Sequence, residues 1–256
     1  MGSRSGQSNY RADEKDLIKE WPKMNKEINE HVFEIRYKPN SKILDYRGTW
    51  AEMIAEHMQL SEWRILDNRV DVYDKAGKNH AFVGFRNSGF LCTDSPTRNY
   101  FYDQAIKLFS YISKLDGFEP ELVVERIGVK SKFCTNFEKS FEELKNLFAS
   151  KYIRLTPEAE KAINAKLVDI GSPLNFADSL GNFNTMAGPM EKGQIIQFFN
   201  GRKEADVPTI GLYFDIDYFL KPNKKMKADE INKAIREFAE SSWGKYERVK
   251  QLILGI

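Results

Sequence analysis

The run YFDIDYF, residues 213–219, places Asp215 and Asp217 two positions apart inside an apolar stretch. On an extended strand alternate side chains point the same way, so the two carboxylates share one face, opposite Phe214, Ile216 and Tyr218. Paired carboxylates are oxygen ligands for Mg2+ or Mn2+, ions that keep several waters and can position a nucleophile or polarise a phosphodiester. Glu125, on another predicted strand, is a candidate third ligand. The same pair also suits the wet side of a half-buried strand. There it would couple to Arg126 or Lys130 and tie a sheet together without chemistry. Both readings stay open on spacing alone.

Other catalytic patterns are missing. His31, His57 and His80 share no metal-ligand spacing, and His57 has no HExxH partner. Cys92 and Cys134 make neither a disulfide framework nor a metal motif, so they read as buried thiols in a reducing compartment. There is no G-x-S-x-G elbow and no G-x-x-x-x-G-K-[ST] phosphate loop.

Two further stretches carry binding chemistry. Residues 171–188, GSPLNFADSLGNFNTMAG, read as a loop in which Asn175, Asp178, Asn182, Asn184 and Thr185 interleave with Phe176, Leu180, Phe183 and Met186. A binding loop uses that mixture for shape and polar specificity; a surface loop pinned by apolar residues has the same composition. Asn182 and Asn184 are its ligand-binding candidates, with Arg126, Asp215 and Asp217. The basic residues Lys221, Lys224, Lys225 and Lys227, joined by Arg248 on a terminal helix, form a candidate nucleic-acid interface. Asp229, Glu230, Glu237, Glu240 and Glu247 dilute it, as on an ordinary solvated face.

The elements that must position these residues follow from periodicity. HVFEIRY alternates, with Phe33, Ile35 and Tyr37 on one face and Glu34 and Arg36 on the other. WAEMIAEHM is a helix with Trp50, Ile54 and Met58 in line. Strands are predicted at 70–73, 80–86 and 89–93, and Ser95-Pro96 is expected to start a helix whose stripe is Phe101, Ala105, Leu108, Ile112 and Leu115. ELVVERIGVKSKF is a long strand, bent or bulged at Gly128. Asn136 is expected to cap the helix FEKSFEELKNLF, and Thr156-Pro157 to start a short one. AKLVDIG reads as a strand, and FNTMAGPM and QIIQFF as a hairpin turning at Glu191-Lys192-Gly193. TIGLYFDIDYF is the clearest strand, and a helix over about 227–252 closes the chain.

This order predicts an α+β fold of two related halves, a mainly antiparallel sheet with long packing helices. Residues 1–30 form a tail and short helix (Glu14 to Asn29), 31–118 the first half, and 119–256 the second, packed with the first as one compact unit. The internal pseudo-duplication rests on element order. With 256 residues, 41% of them hydrophobic, the chain can build a sizeable core. A net charge of +2 implies neither a polyanionic nor a polycationic partner. No apolar run reaches the roughly 20 residues of a membrane span, and MGSRSGQSNYR lacks a signal-peptide core, so a cytoplasmic protein with no membrane partner is expected.

Three signatures together resemble a sporadically distributed, functionally uncharacterised prokaryotic family of similar length: VFEIRYKP at 32–39, VVERIGVKSKF at 123–133, and LYFDIDYF at 212–219 followed by a long helix. Arg126, Ile127 and Gly128 fit that family's central strand. Lys130 stands where arginine is usual, Ser131 replaces an aromatic, and the last helix lacks a histidine common in its first half. The resemblance implies a shared architecture and directs attention to Arg126, Asp215 and Asp217, but brings no reaction. Its sporadic distribution is compatible with a defence-related role. The expected function is a non-enzymatic ligand- or macromolecule-binding protein that needs no cofactor and works with a protein partner or as a homo-oligomer. The alternatives are a metal-dependent phosphodiester-processing enzyme using Mg2+ or Mn2+ at Asp215 and Asp217, and a nucleic-acid-binding module.

Overall fold

Alternating residues on eleven-residue β1 (Glu27–Tyr37) set the architecture: Asn29, His31, Phe33, Ile35 and Tyr37 are buried on one side, while Glu30, Glu34 and Arg36 lie on the other. The computed structural model describes residues 27–118, 121–199 and 202–256. β1 is followed by α1 (Lys42–Met58), β2 (Glu62–Ile65), β3 (Arg69–Tyr73), β4 (Asn79–Gly84), β5 (Asn87–Thr93) and α2 (Tyr100–Ile112). The second half runs β6 (Glu121–Asn136), α3 (Phe141–Phe148), α4 (Pro157–Ile163), β7 (Ser172–Ala177), β8 (Asn182–Glu191), α5 (Lys192–Phe198), β9 (Ile210–Leu220), β10 (Lys224–Lys227) and α6 (Ala228–Leu254).

All ten strands join one antiparallel sheet in the order β2-β3-β4-β5-β1-β6-β9-β8-β7, with β10 pairing the start of β6. The first strands of the two halves, β1 and β6, pair at the centre, and each is flanked by the last long strand of its own half, β5 or β9. From β3 to β7 the order is a palindrome about the β1/β6 pair. The halves share this sheet order but not their element count: the first runs strand, helix, four strands, helix, and the second strand, two helices, two strands, helix, two strands, helix. The predicted α+β fold is therefore observed.

Helices α1, α2, α3 and α6 pack on one face. Phe33, Ile35, Ile127, Val129, Phe133, Ile216 and Tyr218 meet Trp50, Phe101, Phe109, Phe238 and Tyr246 in a single core. Phe133 stacks on Tyr246 with ring centres 4.2 Å apart, and Tyr218 on Phe238 at 5.2 Å. His31 is buried among Phe101, Phe133 and Trp243, its Nδ1 2.9 Å from Ser131 Oγ, and burial pulls its pKa down to about 3.

Several local expectations are corrected. Residues 27–29 belong to β1 rather than a helix; the rest of the expected tail and Glu14–Asn29 helix lies outside the described residues. α2 begins at Tyr100, because Ser95 is occupied in a turn with its hydroxyl on the Thr97 carbonyl. α3 is capped by Ser140, which forms a reciprocal capping box with Glu143, not by Asn136. AKLVDIG forms no strand. QIIQFF lies mostly in helix α5, started by a capping box between Glu191 and Gln194, so there is no hairpin there. The β1/β6 register shifts between Arg36 and Tyr37, leaving Glu125 as the extra residue; the bulge is not at Gly128. No helix of the described residues is long and apolar enough to cross a membrane.

Candidate functional site

The face opposite the main helices carries the other half of each strand's alternation. Of the described helices, only α5 covers any of it. Its Ile195, with Phe199 and Val207 just beyond, packs on Ile28, Cys134 and Tyr213 at one end. Lys132 ties that end down, donating to Glu30 at 2.7 Å and to the Phe198 carbonyl at 2.9 Å. Beyond α5 the face is polar and open.

The register brings the predicted residues into adjacent rows. Val32, Lys130, Asp217, Asn184 and Asn175 face one another across β1, β6, β9, β8 and β7. Glu30, Lys132, Asp215 and Met186 form the next row. Asp215 and Asp217 do share a face, as the spacing requires. Each is matched to a cation. Arg126 donates from Nη2 to both oxygens of Asp217, at 2.8 and 3.0 Å, and Lys130 Nζ lies 3.0 Å from Asp215. Arg126 Nη1 also lies 3.7 Å from Glu34, which Arg36 engages at 2.8 Å and to which Asn87 donates at 3.0 Å. Burial would raise the Glu34 pKa, but the hydrogen bonds from Arg36 and Asn87 lower it overall. For Asp215 burial prevails: its pKa is raised against the pull of Lys130.

Gly128 makes the Arg126 pose possible. A Cβ there would meet Arg126 Nη1 at 2.8 Å and the Tyr218 carbonyl oxygen at 2.9 Å, so only glycine lets the guanidinium lie against the strand. The Phe219 ring backs the same guanidinium at 5.3 Å. Around it is an open hollow of about 220 Å3 with Val32 and Gly128 in its lining.

Asn182 and Asn184 are not in a loop: they project from β8, which pairs with β7 in a hairpin covering most of the expected loop. Their side chains, with that of Asn175 on β7, are exposed and make no hydrogen bond among the described residues. Asp178 is different. It accepts from Tyr218 Oη and from Lys245 Nζ at 3.0 Å, which anchors the hairpin to α6. Burial would raise its pKa, yet these bonds and the Leu180 amide hold it down at about 2.

Among the described residues no three acidic, histidine or cysteine side chains gather where they could hold an ion. The basic residues do not form one patch either. Lys224, Lys225 and Lys227 lie on β10 at the start of α6, and Lys224 faces Glu230 at 3.7 Å. Lys221 sits over Phe219 at 5.7 Å. Arg248 is near the other end of α6, some 20 residues or roughly 30 Å of helix away.

One cluster escaped sequence reasoning. Asp71, fully buried on this same face, is held by Arg64 at 3.0 Å, Arg69 at 2.9 Å and His80 at 3.4 Å. Burial would raise its pKa, but the nearby His80 imidazole, the hydrogen bond from Arg64 and the charge of Arg69 lower it. The signal available was VDVY, a carboxylate inside an apolar strand. No protein-family model matches the chain, and no curated protein matches it significantly.

Proposed function

We propose that the protein is a non-enzymatic binding protein whose partner sits on the uncovered face of the sheet, over β6, β9 and β8. The observation that carries this reading is the contrast along one row: a fixed Arg126–Asp217 pair stands beside Asn184 and Asn175, whose amides are exposed and unengaged among the described residues. An antiparallel sheet can leave one face to water, and charge ladders on such a face add a few tenths to about 1 kcal/mol per pair. Stability therefore asks for the ion pairs but not for the free amides. Amides offer donors and acceptors in both senses, and a guanidinium already braced by Asp217 and Phe219 can present its remaining donors with little loss of side-chain freedom. A protein partner, or a second copy of the chain, is the occupant this mixed-sign surface suits best.

The test is native capture of partners by three forms of the chain: wild type, the Arg126→Ala/Asn184→Ala double variant, and Lys233→Ala on the outer side of α6. The reading expects a partner retained by wild type and Lys233→Ala and lost by the double variant. Retention by the double variant would contradict it. Titration of Mg2+ and Mn2+ by calorimetry, with Asp215→Asn/Asp217→Asn as control, addresses the enzymatic alternative. Saturable binding lost in that variant would move the phosphodiester-processing reading to the front.

A further inference from the structure

The bulge at Glu125 marks where two hollows of the uncovered face meet. One is the hollow around Arg126; the other, about 380 Å3, is lined by Arg36, Asn68, Phe85, Arg86, Asn87 and Glu125, and Arg36 belongs to both. Three guanidinium groups thus line one strand end. Glu34 and Asp217 serve Arg36 and Arg126. Arg86 is exposed and has no carboxylate partner among the described residues; its guanidinium lies 5.9 Å from the centre of the Phe85 ring. Glu125 is the one acid of the larger hollow. Bulges commonly re-aim side chains beside binding sites, and this one lies between Arg126 and Val124, at the point where the two hollows join.

Planar guanidinium forks match phosphate oxygens two at a time. A half-buried aromatic ring beside them offers a stacking surface for a base, and two amides can read its edge. We infer that this end of the face binds a nucleotide, its phosphates held by Arg36 and Arg86 and its base resting on Phe85 beside Asn68 and Asn87. The inference rests on the reading of the uncovered face as a binding surface, and it adds residues that the sequence did not single out.

Calorimetric titration of metal-free ATP and of inorganic pyrophosphate into the full chain at low ionic strength tests it. Arg86→Ala is the informative variant because Arg86 makes no ion pair among the described residues that the fold would lose, and Lys233→Ala controls for general attraction of anions. Saturable ATP binding is expected, weakened about tenfold or more in Arg86→Ala and unchanged in Lys233→Ala, with pyrophosphate binding more weakly than ATP. Absence of saturable ATP binding would overturn the inference, as would equal loss in both variants or pyrophosphate binding as tightly as ATP. If the inference falls while partner capture still depends on Arg126 and Asn184, the binding-face reading stands. If capture is also indifferent to them, both fall.

Discussion

The two faces of the central strands are written by the same residues in alternation, and they do opposite work. On β9, Phe214, Ile216 and Tyr218 are buried in the core, while Asp215 and Asp217 stand among cations on the other side. On β1, Phe33 and Ile35 are fully buried, and Glu34 and Arg36 look outward. The helix-covered face supplies cohesion through area removed from water; the uncovered face contributes little per contact, because pairs open to solvent are screened and entropically costly. Residues on the first face should therefore govern stability and those on the second should govern binding, with Asp71 as the exception that is buried on the open side.

That division can be broken from the largest effect downward. Phe133→Ala removes a fully buried ring stacked on Tyr246 and is expected to cost about 3–5 kcal/mol in a urea denaturation. A loss under about 1 kcal/mol would show that the covered face is not the source of cohesion. His31 gives the covered face a pH signature. Its folded pKa of about 3 lies below the ordinary 6.5, so the unfolded chain takes up the proton first. Stability should fall by about 1.4 kcal/mol per pH unit below about 6.5, continuing toward pH 3. Denaturation midpoints at pH 7 and pH 4.5, compared with those of His31→Gln, check this; identical pH dependence in the two proteins would count against it.

Within the open face two carboxylates should differ. Asp71 has a lowered pKa, so its contribution is fully present above the ordinary carboxylate value and lost as pH falls through its folded value. Asp71→Asn should cost on the order of 2 kcal/mol at neutral pH, by loss of charged hydrogen bonds at a fully buried site. Asp215 has a raised pKa because burial outweighs Lys130. Asp215→Asn should be within about 1 kcal/mol of wild type at pH 7, on either side. Thermal melts of both variants decide the order. The smallest effect is expected for Asn182→Ala/Asn184→Ala, within about 0.5 kcal/mol in stability, since neither exposed amide is engaged among the described residues. A larger loss would mean that the amides hold the hairpin together.

How much of this was readable beforehand depends on period and length. The alternation of HVFEIRY and of β9 and the long stripes of α2 and α6 are legible, because long runs separate a period of 2 from one of 3.6; the first residues of β1, 27–29, read instead as the end of a helix. QIIQFF was too short for period to distinguish helix from strand, and the Glu191/Gln194 capping box that decides it is a local hydrogen-bond matter. FNTMAGPM reads as a strand and is β8, where Phe183, Thr185 and Ala187 alternate with Asn184 and Met186; its partner β7 is hidden by the Gly, Ser, Pro and Asn of its segment. β2, only four residues, passed unnoticed. At the site, the shared face of Asp215 and Asp217 was legible from spacing. Their cationic partners on β6 were foreseen as candidates, but Arg36, Arg86 and Glu34 join them only through strand pairing between residues up to about a hundred positions apart, which local pattern cannot reveal.

The most direct measurement places a photo-crosslinking residue at position 184 on the uncovered face, and in a second form at position 233 on α6, with the partner present. A crosslink from position 184 and none from position 233 is the predicted result. A crosslink from position 233 alone would move the binding surface to the helical side and contradict the account.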